Sequence, residues 1–146
     1  MRERPYTVLS CCVSLDGYLD NGDEHRLLLS SDADLDRVDA VRASCDAILV
    51  GAATVRNDNP RLLVRQQVRR DQRVARGLPA SPIKVTVTEH GNLDPRANFF
   101  AVGDGEKLVY CVSSGAGRAR ERLGSAATVV DGGSTIDMRW VSEDLY

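Results

Sequence analysis

AILVGAATVRNDNPRLLVR, running from Ala47 to Arg65, joins a short apolar strand to a turn of small residues and then to an Asn-Asp-Asn-Pro-Arg loop. Ala47-Ile48-Leu49-Val50 is the continuous apolar run expected of a strand buried on both faces of a parallel sheet. Gly51, Ala52 and Ala53 carry no bulk, so a ligand could approach the backbone there, and Thr54 is placed in the first turn of a short helix. Exposed N–H groups at a helix start favour anions. Asp58, Pro60, Arg61 and Arg65 then set one acid and two guanidinium groups within a few residues of the turn. An ordinary strand-to-helix connection has the same pattern, since only connections at a switch point of an open α/β sheet bind ligands.

Upstream of that strand, Ser31 is a good helix N-cap with Asp34 in the capping-box place. Leu35, Val38, Val41 and Cys45 recur at three- and four-residue spacing, which predicts a helix from Asp32 to about Ser44. Its apolar face would pack on the sheet, with Asp36, Arg37 and Asp39 toward solvent. Tyr6 to Ser14 reads as a first strand turning through Asp16-Gly17, and Asp23 to Arg26 as a polar loop before Leu27-Leu28-Leu29. Downstream, Ile83 to Thr88 reads as a strand with one more polar face, Leu108 to Val112 and Thr128 to Val130 as further strands, and Ala116 to Leu123 and Met138 to Leu145 as helices. Alternating helix and strand imply an α/β class with a mostly parallel sheet.

The 146-residue length suits one domain spanning 1–146. A formal net charge of −2 argues against a general nucleic-acid or membrane-surface binder. With no long apolar run and no signal-peptide pattern at MRERPYTVLSCC, the expectation is a cytoplasmic protein. Cys11, Cys12, Cys45 and Cys111 have no CxxC spacing and read as small buried hydrophobes, and His25 and His90 lack partner cysteines, so no metal site is expected. Arg69, Arg70, Arg73 and Arg76 form either a polyanion stripe or a solvated helix face. VYCVSSGAGRAR, from Val109 to Arg120, is near a dinucleotide-phosphate turn but has Arg120 where the third glycine would fall. Arg118 and Arg120 could hold a phosphate there, or simply face solvent.

SLDGYLD at Ser14 to Asp20, VRASCDA at Val41 to Ala47 and the segment from Ala47 to Arg65 stand in an order that resembles the reductase domain of riboflavin biosynthesis. That domain is the C-terminal half of a bifunctional deaminase-reductase and has the dihydrofolate-reductase-like fold, a three-layer α/β architecture. The resemblance implies hydride transfer from NADPH to the ribosyl carbon of a pyrimidine ribosylamine 5′-phosphate, with no metal. Carried over position by position, it implies Cys12, Thr54 and Asp58 on the cofactor side and Arg42, Leu62 and Arg65 on the substrate side. A homodimer acting on a small molecule is expected.

The chain departs from that pattern at Ser10, where the family has lysine, at Leu28, where it has tryptophan, and at Arg26, where it has a phosphate-binding serine. The H-x-E and P-C-x-x-C deaminase signature does not occur. Asp131-Gly132-Gly133 only superficially resembles the family's later Glu-Gly-Gly element, so the resemblance implies a domain whose last strands are missing. Two alternatives stay open: a truncated non-catalytic nucleotide-binding module, and a reductase of another pyrimidine or pterin.

Overall fold

The computed structural model describes residues 4–19, 22 and 29–146. The expectations for Asp23 to Leu28, including those for His25, Arg26 and Leu28, lie outside the described residues, as does Asp20. Four strands, β1 (Ala47–Gly51), β2 (Ile83–Thr88), β3 (Lys107–Cys111) and β4 (Thr128–Asp131), form one parallel sheet in the order β1-β2-β3-β4. Ala47 lies beside Ile83, Val85 beside Leu108 and Val109 beside Val129, so successive strands align their apolar residues face by face. The helices are α1 (Asp32–Ser44), α2 (Ala52–Asp58), α3 (Gln67–Ala75), α4 (Asn98–Ala101), α5 (Ser113–Leu123) and α6 (Met138–Asp144).

On one face of the sheet, Ile48, Val50, Val109 and Val129 meet Ala52 and Val55 of α2, Phe99 and Phe100 of α4, and Leu123 of α5. On the other, Val85, Val87, Tyr110 and Val130 meet Trp140 and Val141 of α6. The two helical layers and the sheet between them are the expected three-layer α/β architecture. Each fully buried large side chain contributes about 1.5–3 kcal/mol by leaving water, so Tyr110 and Phe99 anchor opposite faces. Tyr110 and Trp140 pack edge to face at 5.8 Å, and the Tyr110 hydroxyl donates to Asp144 Oδ2 at 2.8 Å, which ties α6 down by both ring and polar tip.

Several expectations need correction. Residues 6–14 form no strand: they share no ladder with the sheet, and Tyr6 and Leu9 are exposed. Regular hydrogen bonding begins only at the turn, where Ser14 N–H donates to the Tyr18 carbonyl and Gly17 adopts φ 89°. Cys11 and Cys12 are therefore exposed, while Cys111 alone of the four is fully buried. β1 is an outer strand among the described four, which leaves Leu49 40% exposed instead of covered on both sides. The polar side of β2 does not face solvent, because Lys84, Thr86 and Thr88 are all buried. Lys84 reaches the end of α4, where its Nζ donates to the Phe99 and Val102 carbonyls at 3.0 and 2.7 Å. Those are carbonyls that the four-residue helix leaves unpaired.

The arginines of α3 are neither a binding stripe nor a solvated face. Arg73 is buried and donates to the carbonyls of Pro79, Ala43 and Cys45, joining both ends of its own turn to the end of α1. Arg70 donates to the Val64 and Arg65 carbonyls, and Arg69 forks onto Asp36. Three of the four arginines thus serve as cross-links, and Arg76 stays exposed at the helix C-cap. Consequently α1 packs on α3 by charge and hydrogen bonding, and its apolar residues Leu35, Val38 and Val41 are only half-buried.

Candidate functional site

The loop from Asn59 to Gln66 carries the chain from α2 to α3, and its backbone is heavily constrained. Asn59 ends α2 at φ 44°, with its side-chain oxygen accepting the Asn98 N–H at 2.7 Å. Leu62 sits at φ 51°, a left-handed conformation that costs a branched side chain energy and persists only where the surroundings enforce it. Burial of that side chain among Ala52, Val55 and Phe99 supplies the enforcement. Val64 N–H donates to Ser81 Oγ at 3.0 Å, and the Arg65 and Gln66 N–H groups donate to the two oxygens of Asp39 at 2.5 and 3.1 Å.

Asp39 was expected on the solvent side of its helix, yet it is 2% exposed. Its carboxylate can be buried because both oxygens find donors: two backbone N–H groups and Arg69 Nη1 at 2.9 Å. Burial pushes its pKa up, but the Arg65 and Gln66 amides and the Arg69 guanidinium outweigh it and hold the group below the usual carboxylate range. Arg69 in turn bridges to Asp36 at 2.7 Å, which raises the guanidinium's own pKa and spends its charge.

Two of the expected substrate-side residues are linked to this node, Arg42 through α1 and Arg65 through its N–H on Asp39. Arg42 lies in the last turn of α1, three residues after Asp39 and so on the same side of the helix. Arg65 is exposed, and its guanidinium has no ion pair among the described residues. A cleft of about 220 Å³ opens beside it, lined by Asp32, Leu35, Asp36, Asp39, Arg65 and Gln66. Arg69 is shared between two of its three carboxylates, and Arg65 is the cation that lines the cleft itself. The Leu62 side chain is committed to the core, which leaves its backbone as the part able to meet a ligand.

On the cofactor side, Thr54 and Asp58 lie four residues apart on one side of α2, half-buried and exposed respectively. A second cleft, of about 270 Å³, runs past the end of that helix between Val55, Arg56, Asn59, Asp94, Arg96 and Ala97. Cys12 is not brought to either cleft's lining; it is exposed in the segment 6–14. The near-dinucleotide turn resolves into packing. A side chain at Gly115 would meet the Glu89 carbonyl at 2.6 Å, so glycine there lets α5 approach the end of β2. Asp131 accepts from Ser113 Oγ and from the Gly133 N–H, closing β4 onto the start of α5, while Arg118 and Arg120 remain exposed.

Asp39 and Arg69 are the residues of this region that the sequence reading missed. Helical periodicity assigns Asp39 to a polar face, and nothing local reveals that its partners lie 26 to 30 residues away. The one available signal was the loop itself: the N–H groups of Arg65 and Gln66 precede a helix with no side-chain cap and require acceptors.

The chain matches the RibD C-terminal domain over residues 5–146 and belongs to that family. A 2,5-diamino-6-ribosylamino-4(3H)-pyrimidinone 5′-phosphate reductase of Methanothermobacter thermautotrophicus is 32% identical over 98% of this chain and 62% of its own length. The enzyme of the same name from Archaeoglobus fulgidus is 39% identical over 58% of this chain and 38% of its own length. The chain thus spans between about four and six tenths of these relatives. Among solved structures, a Thermotoga maritima diaminohydroxyphosphoribosylaminopyrimidine deaminase/5-amino-6-(5-phosphoribosylamino)uracil reductase superposes with a TM-score of 0.75 at 21% identity, over 98% of this chain and 36% of that one. That likeness establishes the fold. No helix among the described residues is long and apolar enough to cross a membrane.

Proposed function

We propose that this chain carries the reductase site of riboflavin biosynthesis, where NADPH reduces a ribosylaminopyrimidine 5′-phosphate to its ribitylamino form. The observation that supports the reading is that Asp39, one turn before Arg42 on α1, accepts from the Arg65 N–H, which ties the loop bearing Arg65 to the helix bearing Arg42. It is supported by relatives named as pyrimidinone phosphate reductases. Two guanidinium groups at one junction suit a phosphate, which they can grip in bidentate fashion. The Leu62 backbone meets the same ligand, while Thr54, Asp58 and the backbone at Cys12 serve the cofactor.

A hydroxyl and a carboxylate on one side of α2 fit the hydroxyls of a nucleotide ribose, so the residues present suit a nicotinamide dinucleotide. When bound, that cofactor supplies the hydride that the ribosyl carbon accepts. The chain's own work is orientation: Arg42 and Arg65 fix the phosphate end of the substrate, and the constrained loop fixes Arg65 relative to α2. Holding the acceptor carbon in place converts an encounter into a near-attack geometry. The same reading makes the enzyme a cytoplasmic homodimer.

The test is turnover. The purified chain, given NADPH and the ribosylaminopyrimidine phosphate in its diaminopyrimidinone and aminouracil forms, is expected to lose nicotinamide absorbance with at least one of them. NADPH binding without turnover of either would favour a nucleotide-binding module, and turnover of dihydrofolate alone would move the substrate to the pterins.

A further inference from the structure

Asp39 is the most buried charged group outside the sheet, and its role is specific in direction. Its two oxygens hold the two successive N–H groups at Arg65 and Gln66, and Arg69 clamps the same carboxylate from α3. Other contacts fix the same loop from the remaining sides. Upstream it is pinned by Val64 N–H on Ser81 and by the buried Leu62, and downstream Arg70 grips the Val64 and Arg65 carbonyls. Asp39 is the only one of these contacts that ties the Arg65 backbone to α1, the helix that bears Arg42. The direct link between the Arg65 backbone and the helix of Arg42 therefore runs through this carboxylate, with Arg69–Asp36 and Arg73 joining α1 to α3 beside it.

The geometry points to Asp39 as a positioning residue for the substrate phosphate: through the Arg65 and Gln66 amides it holds the Arg65 guanidinium in register with Arg42, and the Arg69–Asp36 pair keeps it locked. This rests on the phosphate reading of Arg42 and Arg65 given above. Asp39 touches no substrate atom; it acts through Arg65. A carboxylate is required because both oxygens accept, whereas an asparagine would present an NH₂ to one of the two amides or to Arg69. Arg69 then loses one of its two acidic partners as well.

The experiment is a double-mutant cycle on the full chain, with KM for the ribosylaminopyrimidine phosphate, kcat and NADPH affinity measured for wild type, Asp39→Asn, Arg65→Ala and the double variant. Asp39→Asn is expected to raise substrate KM by about tenfold with kcat and NADPH affinity changed less than about twofold, and to add nothing further once Arg65 is alanine. An additive cycle, or equal losses in substrate and NADPH affinity, would show a merely structural Asp39 and overturn the proposal. Where Asp39→Asn does not fold, Arg69→Gln, which loosens the carboxylate without touching the amides, is expected to raise KM in the same direction and to be equally masked by Arg65→Ala; an additive effect there overturns it too. Absence of turnover in the wild type would instead remove the phosphate reading, and this assignment with it.

Discussion

At the scale of the residue, what matters is whether a polar atom has a partner. Arg65 is exposed and carries an unspent charge, which is why it is the residue best placed to contribute to binding. Arg65→Ala is expected to weaken substrate binding by about 1.5–3 kcal/mol, the usual worth of a charge-assisted contact, while leaving NADPH affinity unchanged. Isothermal titration with each ligand separates the two, and equal weakening of both would contradict a phosphate role. Thr86 is the converse case. Its hydroxyl is buried on the central strand without a hydrogen-bond partner among the described residues, a desolvation cost with no return. Thr86→Val, which keeps the shape and the β-branch, is expected to raise stability by about 1 kcal/mol in urea unfolding. A loss of stability would mean that the hydroxyl has a partner after all.

At the scale of the element, the readable parts of the chain were those whose signal is local. Ile83–Thr88 and Asp32–Ser44 form as their patterns predict, because apolar periodicity and the Ser31 cap are contained within the segments themselves. Thr54 likewise falls in the first turn of α2, where the small-residue turn placed it. What failed was the direction of polar side chains. Asp39 and Arg73 lie on faces that periodicity assigns to solvent and Lys84 on the more polar face of its strand, yet each is buried by partners from other segments of the chain. The segment 6–14 failed for the related reason that alternation makes a strand possible but only a neighbouring edge makes it form. Packing of α5 against the end of β2 offers a sharper test at this scale. Gly115→Ala would press a methyl group into the backbone at Glu89 and His90, which cannot yield as a flexible side chain could. A loss of about 1–3 kcal/mol is expected, against little effect for Gly117→Ala, whose added methyl meets open space. Equal effects would refute the close approach.

At the scale of the whole molecule, the two faces of the sheet bury titratable groups that together shape stability in mild alkali. Lys84, beneath α4, is desolvated and lies near Lys107, which brings its pKa down to about 8. In the unfolded chain a lysine keeps its proton to about pH 10.4. Between these values the unfolded state binds more protons than the folded one, so stability rises with pH as the cost of burying the ammonium is removed. Tyr110, beneath α6, works in the opposite sense: burial and then Asp144 raise its pKa, so above about pH 10 the unfolded chain alone releases that proton and stability falls. The Cys111 thiol, raised chiefly by burial, adds to the fall from about pH 9 upward. The expected profile is a rise of about 1–2 kcal/mol from pH 7.5 to about 9, a plateau while Cys111 offsets Lys84, and a decline above about pH 10. Urea midpoints across that range measure it directly. Lys84→Met should abolish the rise and keep the decline, because it removes the group beneath α4 and leaves the face beneath α6 intact. A wild type whose stability only falls from pH 7.5 upward would show that Lys84 stays protonated in the fold, its two carbonyl partners outweighing its burial.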